Sequence, residues 1–340
     1  MVQISYRVSV AEILTDSTQN SPSESLLECS MKRRTILKGL MALPLAGCVG
    51  DSSSAEPSVV ESVGPLVKRK IPGSEEQLPV VGLGTYQSFS ELGDSSQQER
   101  LVEVLREFAL AGGRLVDTSP MYSNAESVLG TLVPRTGVEP PGGWFMATKV
   151  WTDGRDSGVL QIVASAEKTG FPVLDLIQIH NLRDWQLHLE TLKAMKEEGR
   201  VRYIGATTWG GLRHEELEKV MRTGSLDFIQ VSYNVVRREV EERILPLAAE
   251  LEIGVIVNRP FAQGELFRKV RGKELPSWVK EEADCRSWAQ LFLKFVLGDP
   301  RVTVVIPATS KPKHLLDNMG AGRGRMPGPD LRERMARLFN

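Results

Sequence analysis

The chain predicts an α/β fold, a single (β/α)8 barrel of the TIM type, preceded by a disordered leader and linker outside the barrel. Three observations lead there: eight short apolar, β-branched runs, helical periodicity between them, and no dinucleotide glycine fingerprint. The runs span residues 80–84, 114–118, 144–150, 174–180, 201–207, 228–233, 254–260 and 302–308. Most lack polar alternation, as parallel strands covered on both faces do. Strand and helix alternate along the whole body, which excludes a segregated α+β arrangement. Eight such units fit the roughly 250 residues of a (β/α)8 barrel. A doubly wound sheet, the competing architecture, would want Gly-x-Gly-x-x-Gly after its first strand. Here Gly82-Leu83-Gly84-Thr85 has no third glycine in place.

The intervening segments read as helices by their apolar stripes. Leu101, Leu105, Phe108 and Ala109 form one; Leu189, Leu192 and Met195 a second; Ile244, Leu247, Ala248 and Leu251 a third. Gly112-Gly113 and Gly199 sit where helix C-termini favour a left-handed residue. The long interval 264–286 is charged and reads as an elaborated loop. Residues 320–330, rich in Gly, Arg and Pro, read as a flexible link to a short last helix over 331–339. The barrel is therefore expected over 71–319, with 320–340 a tail.

The first 70 residues have a different character. Residues 1–30 are Ser-rich and without apolar periodicity, an extension expected to be disordered or untranslated, with initiation at Met31. A basic stretch, Lys32-Arg33-Arg34-Thr35-Ile36-Leu37-Lys38, then leads into a short apolar centre and Leu45-Ala46-Gly47-Cys48. That order is that of a secretory signal, with an apolar centre too short to span a bilayer. Its basic part resembles the twin-arginine export signal, and its end resembles a bacterial lipobox. The resemblance implies a signal over 31–48, twin-arginine export, lipidation of Cys48, and an exported, periplasmic-side protein anchored to a bacterial membrane. Two acyl chains hold a protein where one holds it only marginally. Without use of the signal the protein would be cytoplasmic. Residues 49–70 read as a polar linker.

Composition narrows the function. Lys and Arg number 42 against 43 Asp and Glu, a balance that argues against a nucleic-acid partner. Three cysteines, with no C-x-x-C pair, offer neither a disulfide framework nor structural zinc.

Barrel chemistry gathers at the C-terminal ends of the strands, and there the runs end in polar residues. Residues 115–117 end in Asp117, 145–149 in Lys149 and 176–180 in His180; Tyr122 follows five residues after Asp117. Together these four suit carbonyl chemistry. A buried Lys149 paired with Asp117 is expected to stay protonated and to lower the pKa of Tyr122. Tyr122 could then donate a proton, and a neutral His180 could orient a carbonyl oxygen. None of them can supply hydride, so a nicotinamide cofactor is implied.

Five blocks then resemble aldo-keto reductases: Gly82-Leu83-Gly84-Thr85-Tyr86, Asp117-Thr118-Ser119 with Tyr122, Thr148-Lys149, Gln178-Ile179-His180-Asn181, and Ile306-Pro307-Ala308-Thr309-Ser310-Lys311-Pro312. The resemblance spans about 75–319. It implies reduction of a small aldehyde or ketone by NAD(P)H, with Tyr122 the proton donor, Asp117 and Lys149 its tuners, and His180 the carbonyl-orienting residue. Cofactor contacts are implied for Gly84, Thr85, Gln230 and Thr207-Thr208, the last pair standing where the family has Ser-Asn. Asn258-Arg259 stands where many members stack an aromatic ring on the nicotinamide; Arg259 is either a planar stacking partner or a salt-bridged strand end. Ala308 and His314 replace the Lys and Arg of many NADPH-specific members. Thr309, Ser310 and Lys311 remain for a 2′-phosphate, with His314 a weaker partner, and Asp317 and Asn318 match the adenine-side acid and amide. NADP(H) is favoured, with NAD(H) admitted. Tyr86, Met121 and Trp151 are expected at an open, apolar substrate mouth.

Two other functions compete. A membrane-tethered, non-catalytic nucleotide-binding barrel would not need all four of Asp117, Tyr122, Lys149 and His180. A metal-dependent hydrolase would need ligands that the four histidines, His180, His188, His214 and His314, do not supply as an H-x-H on any strand.

Overall fold

The computed structural model describes residues 64–339, and the leader features assigned to residues 1–63, Cys48 included, lie outside them. In chain order the elements are β1 (Lys68–Lys70), β2 (Gln77–Pro79), β3 (Leu83–Gly84), α1 (Ser95–Leu110), β4 (Leu115–Asp117), α2 (Ala125–Leu132), β5 (Phe145–Val150) and α3 (Arg155–Thr169). There follow β6 (Leu174–Ile179), α4 (Trp185–Glu197), β7 (Val201–Thr207), α5 (His214–Met221), β8 (Phe228–Ser232), α6 (Ile244–Glu250) and β9 (Gly254–Asn258). Last come α7 (Glu265–Lys269), α8 (Ser277–Ala283), α9 (Trp288–Leu297), β10 (Val304–Val305), α10 (Pro312–Gly320) and α11 (Pro329–Ala336).

Strands β3 to β10 pair in parallel, each with its sequence neighbour. Bridges Val81–Val305 and Gly84–Ala308 join the first strand to the last, so the sheet closes on itself. Closure depends on Gly84, since a Cβ there would lie 2.9 Å from the Ile306 carbonyl oxygen. All eight expected strands are present, seven of them trimmed at their ends and Val201–Thr207 with the bounds expected. A doubly wound sheet is excluded by the closed strand order.

The period-two alternation of strands divides the molecule into two cores. One set, Leu115, Phe145, Ala147, Leu176, Phe228, Ile256, Val304 and Ile306, forms its own cluster with Ile71 and Leu78 of the β1–β2 segment. The alternate set, Val116, Met146, Ile177, Ile204, Ile229, Val255 and Val305 among it, packs with the helices. Going up the first set, the next positions are Asp117, Lys149, Gln178, Gln230 and Asn258. The barrel interior therefore changes from apolar at its base to polar at its C-terminal rim.

Three expectations need correction. The linker was expected to run to residue 70, but Lys68–Lys70 is a strand, paired antiparallel with Gln77–Pro79. Its Arg69 guanidinium donates to the carbonyls of Leu297, Asp299 and Val302, so a residue that reads as linker charge satisfies backbone oxygens across the fold. Residues 320–328 are not a flexible link. Lys294, fully buried, donates to the Arg323 and Arg325 carbonyls at 2.6 and 2.7 Å, and Arg325 pairs with Asp284. The 264–286 interval contains helices α7 and α8 rather than an irregular loop.

Helix packing also yields a stability prediction. Propensity alone says that Gly130→Ala inside α2 stabilises by about 1 kcal/mol. A Cβ at Gly130, however, would lie 2.0 Å from the Lys168 carbonyl oxygen of α3. Backbone cannot swing aside as a side chain does, so the clash should reverse the sign, costing about 1–3 kcal/mol. Chemical denaturation of the two proteins tests this: the variant should unfold at lower denaturant concentration.

Candidate active site

The four residues picked out at strand ends converge. Asp117 ends β4, Lys149 lies near the end of β5, His180 follows β6, and Tyr122 stands on the loop after β4. Asp117, Tyr122 and His180 line one cavity of about 530 Å³. Lys149 is beneath them, its side chain fully buried. The Lys149 Nζ donates to Asp117 Oδ2 at 2.6 Å and to the Thr118 carbonyl at 2.7 Å, and stands 4.8 Å from the Tyr122 ring centroid. The Tyr122 ring is edge-on to Tyr86 (5.1 Å) and to His180 (5.9 Å).

Burial lowers the Lys149 pKa, but Asp117 and Tyr122 more than reverse this and hold the ammonium above the ordinary lysine range. The expected lowering at Tyr122 is overturned. Burial pushes its hydroxyl up, Lys149 pulls it down, Asp117 pushes it up again, and the net direction is upward. The phenol loses more hydration than one ammonium, itself neutralised by a carboxylate, returns. At His180, burial first and the Lys149 charge second drop the imidazole to about 3. The ring is neutral at any physiological pH, as expected.

Asp117 is held from its other side as well. Its Oδ1 accepts from Gln178 Nε2 at 2.8 Å and Gln230 Nε2 at 2.9 Å. Gln230 Nε2 also reaches Gln178 Oε1, and Gln230 Oε1 accepts from Asn258 Nδ2 at 3.2 Å. Asn258 Nδ2 donates as well to the Thr208 carbonyl, and its Oδ1 accepts from Ser232 Oγ at 2.6 Å. A continuous polar belt thus crosses the barrel from Lys149 to Ser232. Gln178, whose motif was legible but whose role was not, is a member of it. Gln230 and Asn258 belong to this belt as much as to the cavity wall they help to line.

The remaining cofactor candidates separate into two groups. Gly84, Thr85, Thr207, Thr208, Gln230, Asn258 and Arg259 line the cavity. The Thr207 hydroxyl oxygen accepts the Asn181 N–H at 3.0 Å and keeps its own proton to donate. The Thr208 hydroxyl is buried without a hydrogen-bond partner, and buried polar groups in that state normally have an absent partner. Thr309, Ser310, Lys311, His314, Asp317 and Asn318 lie instead on the β10–α10 connection and α10, next to Ala308, which lines the cavity edge. Lys311 and His314 are exposed there. Asp317 is already engaged, accepting from Ser287 Oγ at 2.8 and 2.9 Å and from Gln290 Nε2 at 2.8 Å.

Of the two roles open to Arg259, the salt bridge is not formed among the described residues. Its guanidinium lies 4.4 Å from the Trp209 ring centroid. Tyr86 and Met121 stand exposed in the cavity lining, and Trp151 stands beside it, 6.3 Å from the His180 ring. Trp209, Phe261 and Phe267 complete the apolar lining. Trp209 follows Thr207-Thr208 directly and could have been read as a strand-end residue. Phe267 belongs to α7, inside the interval that reads as loop, and carried no signal. No group of three or more His, Cys, Asp or Glu suited to a metal ion occurs among the described residues.

Residues 80–328 match the model of the aldo/keto reductase family. The chain is 28% identical over 250 residues to the methylglyoxal reductase YeaE of Escherichia coli (strain K12), covering 71% of this chain and 84% of that one. It is 26% identical over 245 residues to the NADH-specific methylglyoxal reductase of the same organism, covering 62% and 73%. In fold it is similar to the aldo/keto reductase from Klebsiella pneumoniae solved in complex with NADP and acetate. That likeness has a TM-score of 0.66 at 23% identity, over 80% of this chain and 96% of the other.

Proposed function

Since this chain belongs to the aldo/keto reductase family, we propose that its barrel reduces small aldehydes or ketones to alcohols with a nicotinamide cofactor, preferring NADP(H) over NAD(H). The observation that carries the reading is the convergence of Tyr122 and His180 in one cavity above the buried Lys149–Asp117 pair. The residues lining that cavity would hold a reduced nicotinamide, which would supply the hydride needed at the carbonyl carbon. Tyr122 gives its hydroxyl proton to the carbonyl oxygen, completing the alcohol. Lys149 holds positive charge close to the phenolate left behind, and Asp117 keeps that lysine charged and in position. Neutral His180 holds the carbonyl oxygen by a hydrogen bond and cannot compete as an acid.

The cofactor side has groups of the right kind. The unpartnered Thr208 hydroxyl and the donor capacity of Thr207 suit a carboxamide. Thr309, Ser310 and Lys311, with His314, suit a 2′-phosphate. Mixed precedent among relatives, one solved with NADP and another named NADH-specific, is in keeping with a preference rather than an absolute choice. The exposed Tyr86, Met121 and Trp209 favour small substrates with an apolar flank, and methylglyoxal is the first to try given the names of two relatives.

The leader extends the proposal to location. Residues 31–48 would direct twin-arginine export and lipidation at Cys48, giving a reductase tethered on the periplasmic side of a bacterial membrane. Free NADPH is not replenished there, so the barrel would fold around its nucleotide before export. Native protein released from membranes should then carry bound nucleotide, and an empty protein of micromolar affinity would sink this part alone. The reductase reading itself is tested by a panel of aldehydes and ketones with NADPH and NADH, following loss of reduced-nicotinamide absorbance. Turnover is expected with both, faster at low NADPH. Tight nucleotide binding with no turnover of any carbonyl would favour a non-catalytic nucleotide-binding barrel.

A further inference from the structure

We propose that Ser119 is a positioning residue that fixes the tautomer of His180, so that the imidazole always presents Nε2–H to the cavity. The Ser119 side chain is fully buried, and its Oγ has two partners among the described residues. It accepts the Met121 backbone N–H at 3.1 Å, and it lies 3.0 Å from His180 Nδ1. A serine hydroxyl has one proton to give and lone pairs to receive with. The Met121 N–H takes a lone pair, so the hydroxyl proton needs an acceptor.

Among the described residues only Nδ1 is there to accept it. Were Nδ1 protonated, two donors would converge on Oγ and the buried hydroxyl proton would go unpaired, and an unmade buried hydrogen bond costs more than a made one returns. The hydroxyl therefore donates to Nδ1. The neutral ring has a single N–H, which this leaves on Nε2. Among the described residues the His180 ring is hydrogen-bonded through Nδ1 alone, and His180 lines the cavity. The same Ser119 oxygen anchors the backbone at Met121, next to the proton donor Tyr122. One buried hydroxyl thus sets both the direction of the His180 donor and the start of the Tyr122 segment. Its neighbour Thr118 cannot substitute, since its own Oγ1 is buried without a partner.

The consequence for catalysis rests on the carbonyl-reductase reading above; the tautomer assignment does not. Nitrogen-15 NMR of histidine-labelled protein separates the two, with the His180 resonances identified by their loss in His180→Asn. Wild type is expected to show a protonated Nε2 and a bare Nδ1 hydrogen-bonded to a hydroxyl. Ser119→Ala should give a mixture of tautomers, and Ser119→Thr, which keeps the hydroxyl, should restore the single one. With a carbonyl substrate, Ser119→Ala should lower kcat by about 10- to 100-fold, short of the roughly 10⁴-fold cost of a histidine locked in the wrong tautomer, with nucleotide affinity unchanged. A protonated Nδ1 in wild type would overturn the proposal, whether or not the alanine variant folds. So would a Ser119→Ala protein with the wild-type tautomer and kcat. Absence of turnover in every form, with the tautomer pattern as expected, would instead count against the reductase reading.

Discussion

Tyr122→Phe is expected to abolish carbonyl reduction, by at least about 10³-fold in kcat, toward the upper end of what a positioned general acid contributes. The hydroxyl is the only part removed. The ring contacts to Tyr86 and His180, and the Lys149 ammonium over its face, are all available to phenylalanine. Nucleotide affinity and thermal stability should therefore stay near wild type, and steady-state turnover with an equilibrium nucleotide titration checks both. Turnover within tenfold of wild type would remove Tyr122 from its role. The direction of its pKa adds a pH signature. Raised by burial, the phenol stays protonated through the neutral and mildly alkaline range, so reduction should not decline there for want of a proton. Alcohol oxidation, which needs the phenolate, should rise with pH over the same range.

Lys149→Met is expected to cost both activity and stability, and more of the latter than any other substitution at the site. Lysine and aspartate are buried together, with exposures of 0% and 2%. Taking away the ammonium leaves the Asp117 carboxylate with two amide donors and no counter-charge. Removal of one partner from a buried pair typically costs about 3–5 kcal/mol, which for a domain of this size lowers Tm by roughly 10 °C. Adding Asp117→Asn should recover part of that loss, since the uncompensated charge is then gone, and the two effects should fall short of additive. Scanning calorimetry on the single and double variants decides it. A Lys149→Met protein as stable as wild type would overturn the stabilising role of the buried Lys149–Asp117 pair. Activity should not return in the double variant, because nothing then stabilises the Tyr122 phenolate.

How much of this could be read along the chain differs between elements for physical reasons. The eight barrel strands were legible because a strand covered on both faces must be apolar throughout, and short runs such as 174–180 stand out for that reason. The strand Lys68–Lys70 was not, because its side chains are charged and its value lies in contacts more than 200 residues away, Arg69 with Leu297, Asp299 and Val302. Residues 320–328 misled in the same way. Gly, Arg and Pro look like a loose link until Lys294 and Asp284 are found holding the Arg323 and Arg325 segment. At the site, Asp117, Lys149 and His180 announced themselves as polar ends of apolar runs. Gln178, Gln230 and Asn258 stand at the same level of the barrel as Asp117 and Lys149, and the belt they form is not visible until their partners come from other strands.

By itself, then, the sequence determined the kind of protein: an eightfold alternation of strand and helix, with a tyrosine, lysine, aspartate and histidine gathered at the strand ends. Those are local properties, written in periodicity and in which residue ends a run. Tertiary structure decided the energetics. It set the balance at Tyr122, where the hydration lost on burial outweighs the nearby ammonium and reverses the expected shift. It set the neutral His180 against the Ser119 hydroxyl and joined three strand amides into the belt that holds Asp117. Desolvation and hydrogen bonding depend on distances between residues far apart in the chain, and only the closed barrel fixes those distances.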